Sequence, residues 1–376
     1  MIESKIIADI TMAVGIGYIF TALYLLSHPT PKKSRPKNLP PVAILVPMRN
    51  EEMNIEYCLK SLENQNYPLH LHDIFVIDDR STDKSVNIAG TFIERYENFH
   101  LFRVNEDQNN LKGKMNALAQ VLETIEHEIV LITDADCRVP STWIQTFVDY
   151  FDEETGLAGG LTVLESTPNM VQVQSNLFAK IQTLDWVFLQ TIAAATASAG
   201  LPVSVLGNNF GFRLQTYQEI GTFREIGFSV TEDFALLKAI DKTGKWKIKY
   251  AIDPENTIYS KPAATLSAFF KQRKRWIVGG RSMRLWGYFI VGLSFLAHLC
   301  IMASLIFGER NISAALGIGL IIGIDYFIIK RELNKTGLEK LKKYFLLFEV
   351  FFISYTLFFG IAFPFFRKVT WKDRSF

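Results

Sequence analysis

Four long apolar runs, confined to the two ends of the chain, restrict what this sequence can fold into more than any other feature. Ile6–Leu26 is broken only by Asp9 and a few small polar residues; Tyr288–Phe307, Ile312–Ile329 and Tyr344–Phe366 follow a long middle stretch. Each is near or above the roughly 18–20 residues that a helix needs to cross a bilayer. Lys5 is the one basic residue before the first run, too little for a basic leader, and no small-x-small site follows it, so it is expected to be a retained anchor rather than a signal peptide. The mean hydropathy of +0.14 counts against a wholly soluble enzyme. With 49% hydrophobic and 13% aromatic residues, a disordered, collagen-like or low-complexity chain is excluded.

The flanks of these runs carry the orientation. Lys32, Lys33, Arg35 and Lys37 follow the first run, and Lys271, Arg273, Lys274, Arg275, Arg281 and Arg284 precede the second, with no acid in either cluster. Basic flanks face the cytoplasm, which places everything between them there. The Gly308–Asn311 loop is then outside and the basic Lys330–Lys343 loop inside. Three carboxy-terminal spans would leave the tail outside, yet it carries Arg367, Lys368, Lys372 and Arg374. Either one span is a re-entrant or interfacial hairpin, or the charge rule fails there.

Trp186–Leu206 is a further stretch without a charge, but it is rich in Ala, Ser, Thr and Gly and is interrupted by Pro202. A span here would put its flanks in different compartments, so a membrane-facing or acceptor-facing helix is expected instead. Lys+Arg 40 against Asp+Glu 38 is too balanced for a nucleic-acid binder working by bulk charge. Cys58, Cys137 and Cys300 lie far apart, which excludes a disulfide scaffold or cysteine zinc site and fits a reducing compartment.

In the middle stretch, short β-branched runs at Val42–Val46, Ile74–Ile77, Leu101–Val104 and Ile129–Thr133 read as buried parallel strands. Between them, Glu51–Asn64, Thr82–Tyr96 and Lys114–Glu126 carry apolar residues three and four apart. This alternation predicts an α/β fold with a doubly wound, mostly parallel sheet and ligands at the carboxyl ends of its strands. Those ends are acidic in a pattern: Val46 runs into Pro47-Met48-Arg49-Asn50-Glu51, Ile77 into Asp78-Asp79-Arg80-Ser81, and Thr133 into Asp134-Ala135-Asp136. Helix capping accounts for Asn50 or Ser81, but not for acid pairs at adjacent tips.

Asp134-x-Asp136 offers two carboxylates on one side of a turn, an oxygen site suited to Mg²⁺ or Mn²⁺ and through it to phosphates. Like charges this close repel unless a cation joins them. No P-loop or GxGxxG is present; Lys112-Gly113-Lys114 opens a helix with basic groups instead, which is equally an ordinary solvated helix start. Thr231-Glu232-Asp233 precedes an apolar run, where an acid serves either the helix dipole or as a general base. Gln272-Arg273-Lys274-Arg275-Trp276 stands just before the second run, where a basic cluster with an interfacial Trp is also ordinary.

Taken in order, the strand-PxRNE, strand-DDxSxD, GK-x-NAL, strand-DAD, GNNFGFR, TED and QRKRW segments resemble family 2 glycosyltransferases of the GT-A fold. The likeness is greatest to the membrane-integrated branch that includes cellulose, hyaluronan and poly-N-acetylglucosamine synthases and ceramide glucosyltransferase, and it spans Pro41 to Trp276. It implies that Pro47, Arg49, Asn50, Glu51, Asp78 and Asp79 hold the nucleoside, with Lys114 near the diphosphate. Asp134 and Asp136 bind the metal–diphosphate, and Asn208 and Asn209 border donor sugar and acceptor. Asp233, beside Glu232, is the implied base, while Gln272, Arg275 and Trp276 close over diphosphate and acceptor. The implied reaction is inverting and metal-dependent, from a nucleotide-diphospho-sugar, expected to be a UDP-sugar, to a membrane lipid or lipid-linked acceptor.

The expected organisation is an anchor and basic flank over 1–37, a cytoplasmic catalytic domain over 38–286, about three spans over 287–366 and a basic tail over 367–376: a multi-pass integral membrane protein. Polymer synthases of this kind usually carry more spans, and Trp371-Lys372-Asp373-Arg374 resembles the tail of lipid-modifying relatives. A processive polysaccharide synthase is the first alternative and an inactive nucleotide-sugar-binding scaffold the second; a transporter is weakest. His70 and His72 are expected at the surface and Cys137 as packing. Asp9, Asp325 and Glu349 fall within apolar runs, where helix–helix hydrogen bonding or snorkelling is expected.

Overall fold

The computed structural model describes residues 2–164, 176–307, 311–366, 369–371 and 374–375. Helix α1 (Ile2–Ser27) leads into strand β1 (Val42–Met48), followed by α2 (Ile55–Leu62), β2 (His72–Asp78), α3 (Ser85–Ile93), β3 (Phe99–Arg103), α4 (Gly113–Leu122) and β4 (Ile129–Thr133). The expected strands and helices all form; the strands run on into polar residues that an apolar pattern does not mark. Next come α5 (Trp143–Val148), β5 (Thr155–Gly160), β6 (Thr162–Leu164), α6 (Leu177–Ser198), β7 (Asn209–Arg213), α7 (Leu214–Glu219), α8 (Thr222–Ile226), α9 (Glu232–Thr243), β8 (Lys247–Ala251) and β9 (Ile258–Ser260).

Seven strands form one sheet in the order β3-β2-β1-β4-β7-β5-β8. All pairings are parallel except those of β7, which runs antiparallel to both β4 and β5. In β1, Val42, Ile44 and Val46 face one apolar layer while Ala43 and Leu45 face the other. Alternate side chains point to opposite faces, so a strand buried on both sides must be apolar throughout, as β1 and β4 are.

The remaining helices are α10 (Leu266–Gly279), α11 (Leu285–Phe307), α12 (Ile312–Lys335) and α13 (Phe345–Ala362). Among the described residues four helices are long and apolar enough to cross a membrane: Glu3–Ser27, Leu285–Phe307, Ile312–Lys335 and Glu339–Phe365. Residues 308–310 of the loop expected outside, and Arg367, Lys368, Lys372 and Asp373 of the tail, lie outside the described residues.

Helix α6 corrects the expectation of a membrane-facing or acceptor-facing surface helix. It is buried along most of its length: Leu184, Val187 and Phe188 pack among the apolar helices, and Ala193, Ala194 and Ala197 under the sheet. Small residues suit the second half because the sheet leaves little room there. Gln190 completes the edge of β6, its side chain accepting from the Thr162 N–H and donating to the Thr162 carbonyl, both at 2.7 Å. His72 is also buried rather than at the surface, because it opens β2 with its ring against the Pro68 carbonyl. Asp9 is exposed, and the three cysteines are free and buried.

Helices α1 and α12 cross at two glycines. A Cβ on Gly317 would lie 2.7 Å from the Thr11 carbonyl, and one on Gly15 would lie 2.8 Å from the Gly317 carbonyl. Backbones packed this closely without a side chain between them are a recurrent way of joining apolar helices. Gly319, by contrast, has open space around its missing Cβ. Gly317→Ala is therefore expected to lower stability in detergent by about 1–3 kcal/mol through overpacking. Gly319→Ala, measured by the same thermal unfolding, is expected to be neutral or slightly stabilising.

Candidate active site at the strand tips

The tips of β1 and β2 are tied into one another. Arg49 donates to the Asp79 carbonyl at 2.8 Å, and Asn50, at a φ of 54°, accepts from the Thr82 N–H at 2.8 Å. The Glu51 N–H donates to Ser85 Oγ at 2.7 Å. Asp78 accepts from the Ser81 N–H at 3.1 Å, and Arg80 holds Asp79 at 2.9–3.0 Å. Asp78 and Asp79 are 1% and 4% exposed, so both carboxylates are kept in place by donors on the following turn. Pro47 completes this rim as the residue of β1 opposite Ile77.

At the tip of β4 the negative charge is densest. Burial raises the Cys58 thiol, and the carboxylates of Asp136, Asp134 and Glu51 push it further. Asp134 and Asp136 are half-buried, and two carboxylates that share a site with ligand phosphates form the oxygen donor set that hard divalent cations take. These residues therefore fit a Mg²⁺ or Mn²⁺ ion.

Lys114, near the start of α4, joins two motifs that are far apart in sequence. Its Nζ lies 2.6 Å from Asp134 Oδ1 and 2.8 Å from Glu232 Oε1, and donates to the Gly207 carbonyl at 2.9 Å. Burial alone would lower its pKa, but Asp134 and Glu232 raise it above the ordinary value and keep the ammonium charged. Asp233 follows at the first turn of α9. Loss of water and then the Glu232 charge push its carboxyl up to about 7, against the opposing pull of Lys114 and Arg275. A Cβ on Gly207 would lie 2.8 Å from Asp233 Oδ2, so only glycine lets this loop rest against the acids. A carboxyl poised near neutral pH can accept a proton from a hydroxyl.

Helix α10 closes the far side. Arg275 donates to the Val230 carbonyl at 3.1 Å, just ahead of the Thr231-Glu232-Asp233 turn, and lines a recess with Lys112, Lys114 and Glu232. Trp276 packs against Trp186 of α6 at 5.5 Å, and Gln272 Oε1 is buried with no partner among the described residues. Asn209 is placed inside the fold: it accepts from Trp143 Nε1 at 2.9 Å and donates to the Leu161 and Asn256 carbonyls. Asn208 sits next to it, accepting from Thr162 Oγ1 at 3.0 Å.

Three residues that hold α10 escaped sequence reasoning. Arg273 is 4% exposed and pairs with Asp185 of α6, which is 0% exposed and also accepts from the Tyr355 hydroxyl of α13. The guanidinium lies over the Trp276 and Phe269 rings, 4.1 and 4.7 Å from their centroids. Burial raises the Asp185 carboxyl while Arg273 pulls it down. The available signal was the single acid of α6. The uncharged stretch begins at Trp186, one residue past it.

The model of the family described as glycosyl transferase family 21 matches residues 7–376. A beta-monoglucosyldiacylglycerol synthase of Nostoc sp. is 31% identical over 247 residues, which cover 65% of this chain and 49% of that one. A poly-beta-1,6-N-acetyl-D-glucosamine synthase of Staphylococcus aureus is 27% identical over 249 residues, 66% of this chain and 56% of that one. The chain thus spans about half the length of the curated relatives it matches. The mannosyltransferase PcManGT from Pyrobaculum calidifontis, solved with GDP-Man and Mn²⁺, superposes with a TM-score of 0.60 at 18% identity. That likeness covers 92% of this chain and 97% of the other, and shows that the sheet has the GT-A fold.

Breaking a buried ion pair by removing one partner costs about 3–5 kcal/mol, because the other charge stays buried and unpaired. Asp185→Asn and Arg273→Met are each expected to show such a loss on unfolding in detergent. The double replacement Asp185→Asn with Arg273→Met should lose clearly less than the sum of the two, as a double-mutant cycle reads directly.

Proposed function

The chain belongs to glycosyl transferase family 21, and on that premise we propose that it transfers a sugar from a nucleotide-diphospho-sugar to a membrane lipid or lipid-linked acceptor. The observation that carries this reading is the bridge from Asp134 through Lys114 to Glu232, with Asp233 alongside. It sets a phosphate-binding strand tip against a carboxyl poised to take a proton. The rim of Pro47, Arg49, Asn50, Glu51, Asp78 and Asp79 would hold the nucleoside, for which uridine is the expected base.

The acceptor hydroxyl gives its proton to Asp233 as its oxygen bonds to the anomeric carbon. The bond from that carbon to the diphosphate oxygen breaks in the same displacement, which inverts the centre. Lys114 and Arg275 would offset the charge that develops on the departing diphosphate, the electrostatic contribution that a protein supplies best. A Mg²⁺ or Mn²⁺ held by Asp134 and Asp136 would supply further positive charge to the phosphates.

Four apolar helices and the basic flanks support a multi-pass membrane protein with the strand tips on the cytoplasmic side. The attachment of α10 to α6 and α13 would hold the site at the bilayer surface, where a lipid hydroxyl is within reach. The likeness to the Staphylococcus aureus polysaccharide synthase supports a processive synthase as the second reading.

As the base, Asp233 must be deprotonated to work. Its carboxyl sits at about 7, so kcat/KM is expected to fall as the pH drops through about 7 and to level off above it. Asp233→Asn is expected to lower kcat by about 10²–10⁴-fold and to leave nucleotide binding intact, as titration with the nucleoside diphosphate would show. Full transfer activity in that variant would refute the assignment. Chelation of divalent metal is expected to abolish transfer, and Mn²⁺ to restore it in a radiolabel assay.

A further inference from the structure

Away from the strand tips, one group of ionisable side chains lies among the four apolar helices. His298 of α11, Asp325 of α12 and Glu349 of α13 converge there, 0%, 0% and 2% exposed. An acid in an apolar span is costly unless something balances it, and here two acids meet one imidazole. The atoms that approach one another are His298 Nε2, Asp325 Oδ2 and Glu349 Oε1, and among the described residues none of them has a hydrogen-bond partner outside this group. Nε2 lies 3.3 Å from Asp325 Oδ2 and 3.6 Å from Glu349 Oε1. One ligand atom from each of the three residues falls within 4.8 Å of the others.

The outward-facing atoms of His298 and Asp325 are engaged. His298 Nδ1 is 2.6 Å from the Ser294 carbonyl, which can only accept, so Nδ1 carries the proton and a neutral ring keeps its lone pair on Nε2. The Tyr18 hydroxyl of α1 donates to Asp325 Oδ1 at 2.9 Å, leaving Oδ2 directed inward. The imidazole is held edge-on between Tyr18 and Phe352, at interplanar angles of 82° and 79°. Outer partners that fix tautomer and ring orientation while inner atoms stay open are how metal ligands are arranged.

We propose that His298 Nε2, Asp325 Oδ2 and the Glu349 carboxylate bind a Zn²⁺ ion, separate from any ion at Asp134 and Asp136. Zinc bonds to nitrogen and oxygen of about 2.0–2.2 Å place tetrahedral ligand atoms about 3.3–3.6 Å apart, the spacing of the two Nε2 contacts. The charges also match, since two carboxylates and one divalent cation sum to zero within an apolar bundle. A protonated imidazole between two ionised carboxylates would leave a net negative charge there, and its single Nε2–H can point at only one of them. The ion would join α11, α12 and α13 directly and α1 through Tyr18, a structural role rather than a catalytic one.

The test is metal content of the purified full chain in detergent, after exposure to Zn²⁺ and removal of loosely bound ions. About one Zn²⁺ per chain is expected by mass spectrometry, as for a structural site, with at least about tenfold less in His298→Gln and Glu349→Gln. The Asp134→Asn, Asp136→Asn chain should keep its zinc. Because a core variant can lose metal by unfolding, the wild-type chain supplies a second reading: stripping with a chelator lowers the unfolding temperature and Zn²⁺ restores it. X-ray absorption of the bound zinc should show only nitrogen and oxygen neighbours. A wild-type chain that holds no zinc and is not stabilised by it would overturn the proposal, leaving an imidazolium between two carboxylates. A full equivalent retained in His298→Gln would overturn it equally.

Discussion

The Asp185–Arg273 pair joins two parts of the molecule with opposite solvent demands. The strand tips carry carboxylates and lysines suited to a water-soluble ligand, while α1, α11, α12 and α13 are long and apolar enough to cross a membrane. Helices α6 and α10 run between them, and the ion pair sits where they meet, sealed by Tyr355 of α13 and the rings of Phe269 and Trp276. Two charges taken out of water attract strongly only if both stay matched. The pair therefore favours one placement of α10, and that placement brings Arg275, two residues on, to the loop before Glu232 and Asp233.

The same balancing of charge governs the site. Asp134, Glu232 and Asp233 gather around one buried lysine, each in a different environment. Glu232 shares Lys114 with Asp134, whereas Asp233 is left with the desolvation and with the repulsion of its neighbour. Two adjacent acids in one turn thus have different surroundings. The near-neutral net charge of +2 hides this, because it averages acidic strand tips against basic collars beside the apolar helices.

Much of this was legible from sequence where the signal is local. Strands β1 to β4 and the three helices between them announce themselves by β-branched runs and by apolar residues three and four apart. The four apolar helices do so by length. Features that depend on partners distant in sequence were not legible. The antiparallel insertion of β7 between β4 and β5 leaves no mark in Asn209–Arg213. Asp185 pairs with a residue 88 positions away, and His298 is a single histidine until α12 and α13 bring Asp325 and Glu349 beside it. Helix α6 was misjudged for a related reason: small uncharged residues suit a helix threaded under a sheet as well as one facing a membrane.

The proposal that the acceptor is a lipid rests on pairing the candidate site with four apolar helices, and the chemical nature of the product tests it most directly. Membranes containing the chain would be incubated with a panel of labelled nucleotide sugars, extracted with organic solvent and examined by mass spectrometry. The account predicts a labelled lipid carrying one added sugar. A long water-soluble polymer would contradict it, as would the absence of any sugar-bearing lipid across the panel.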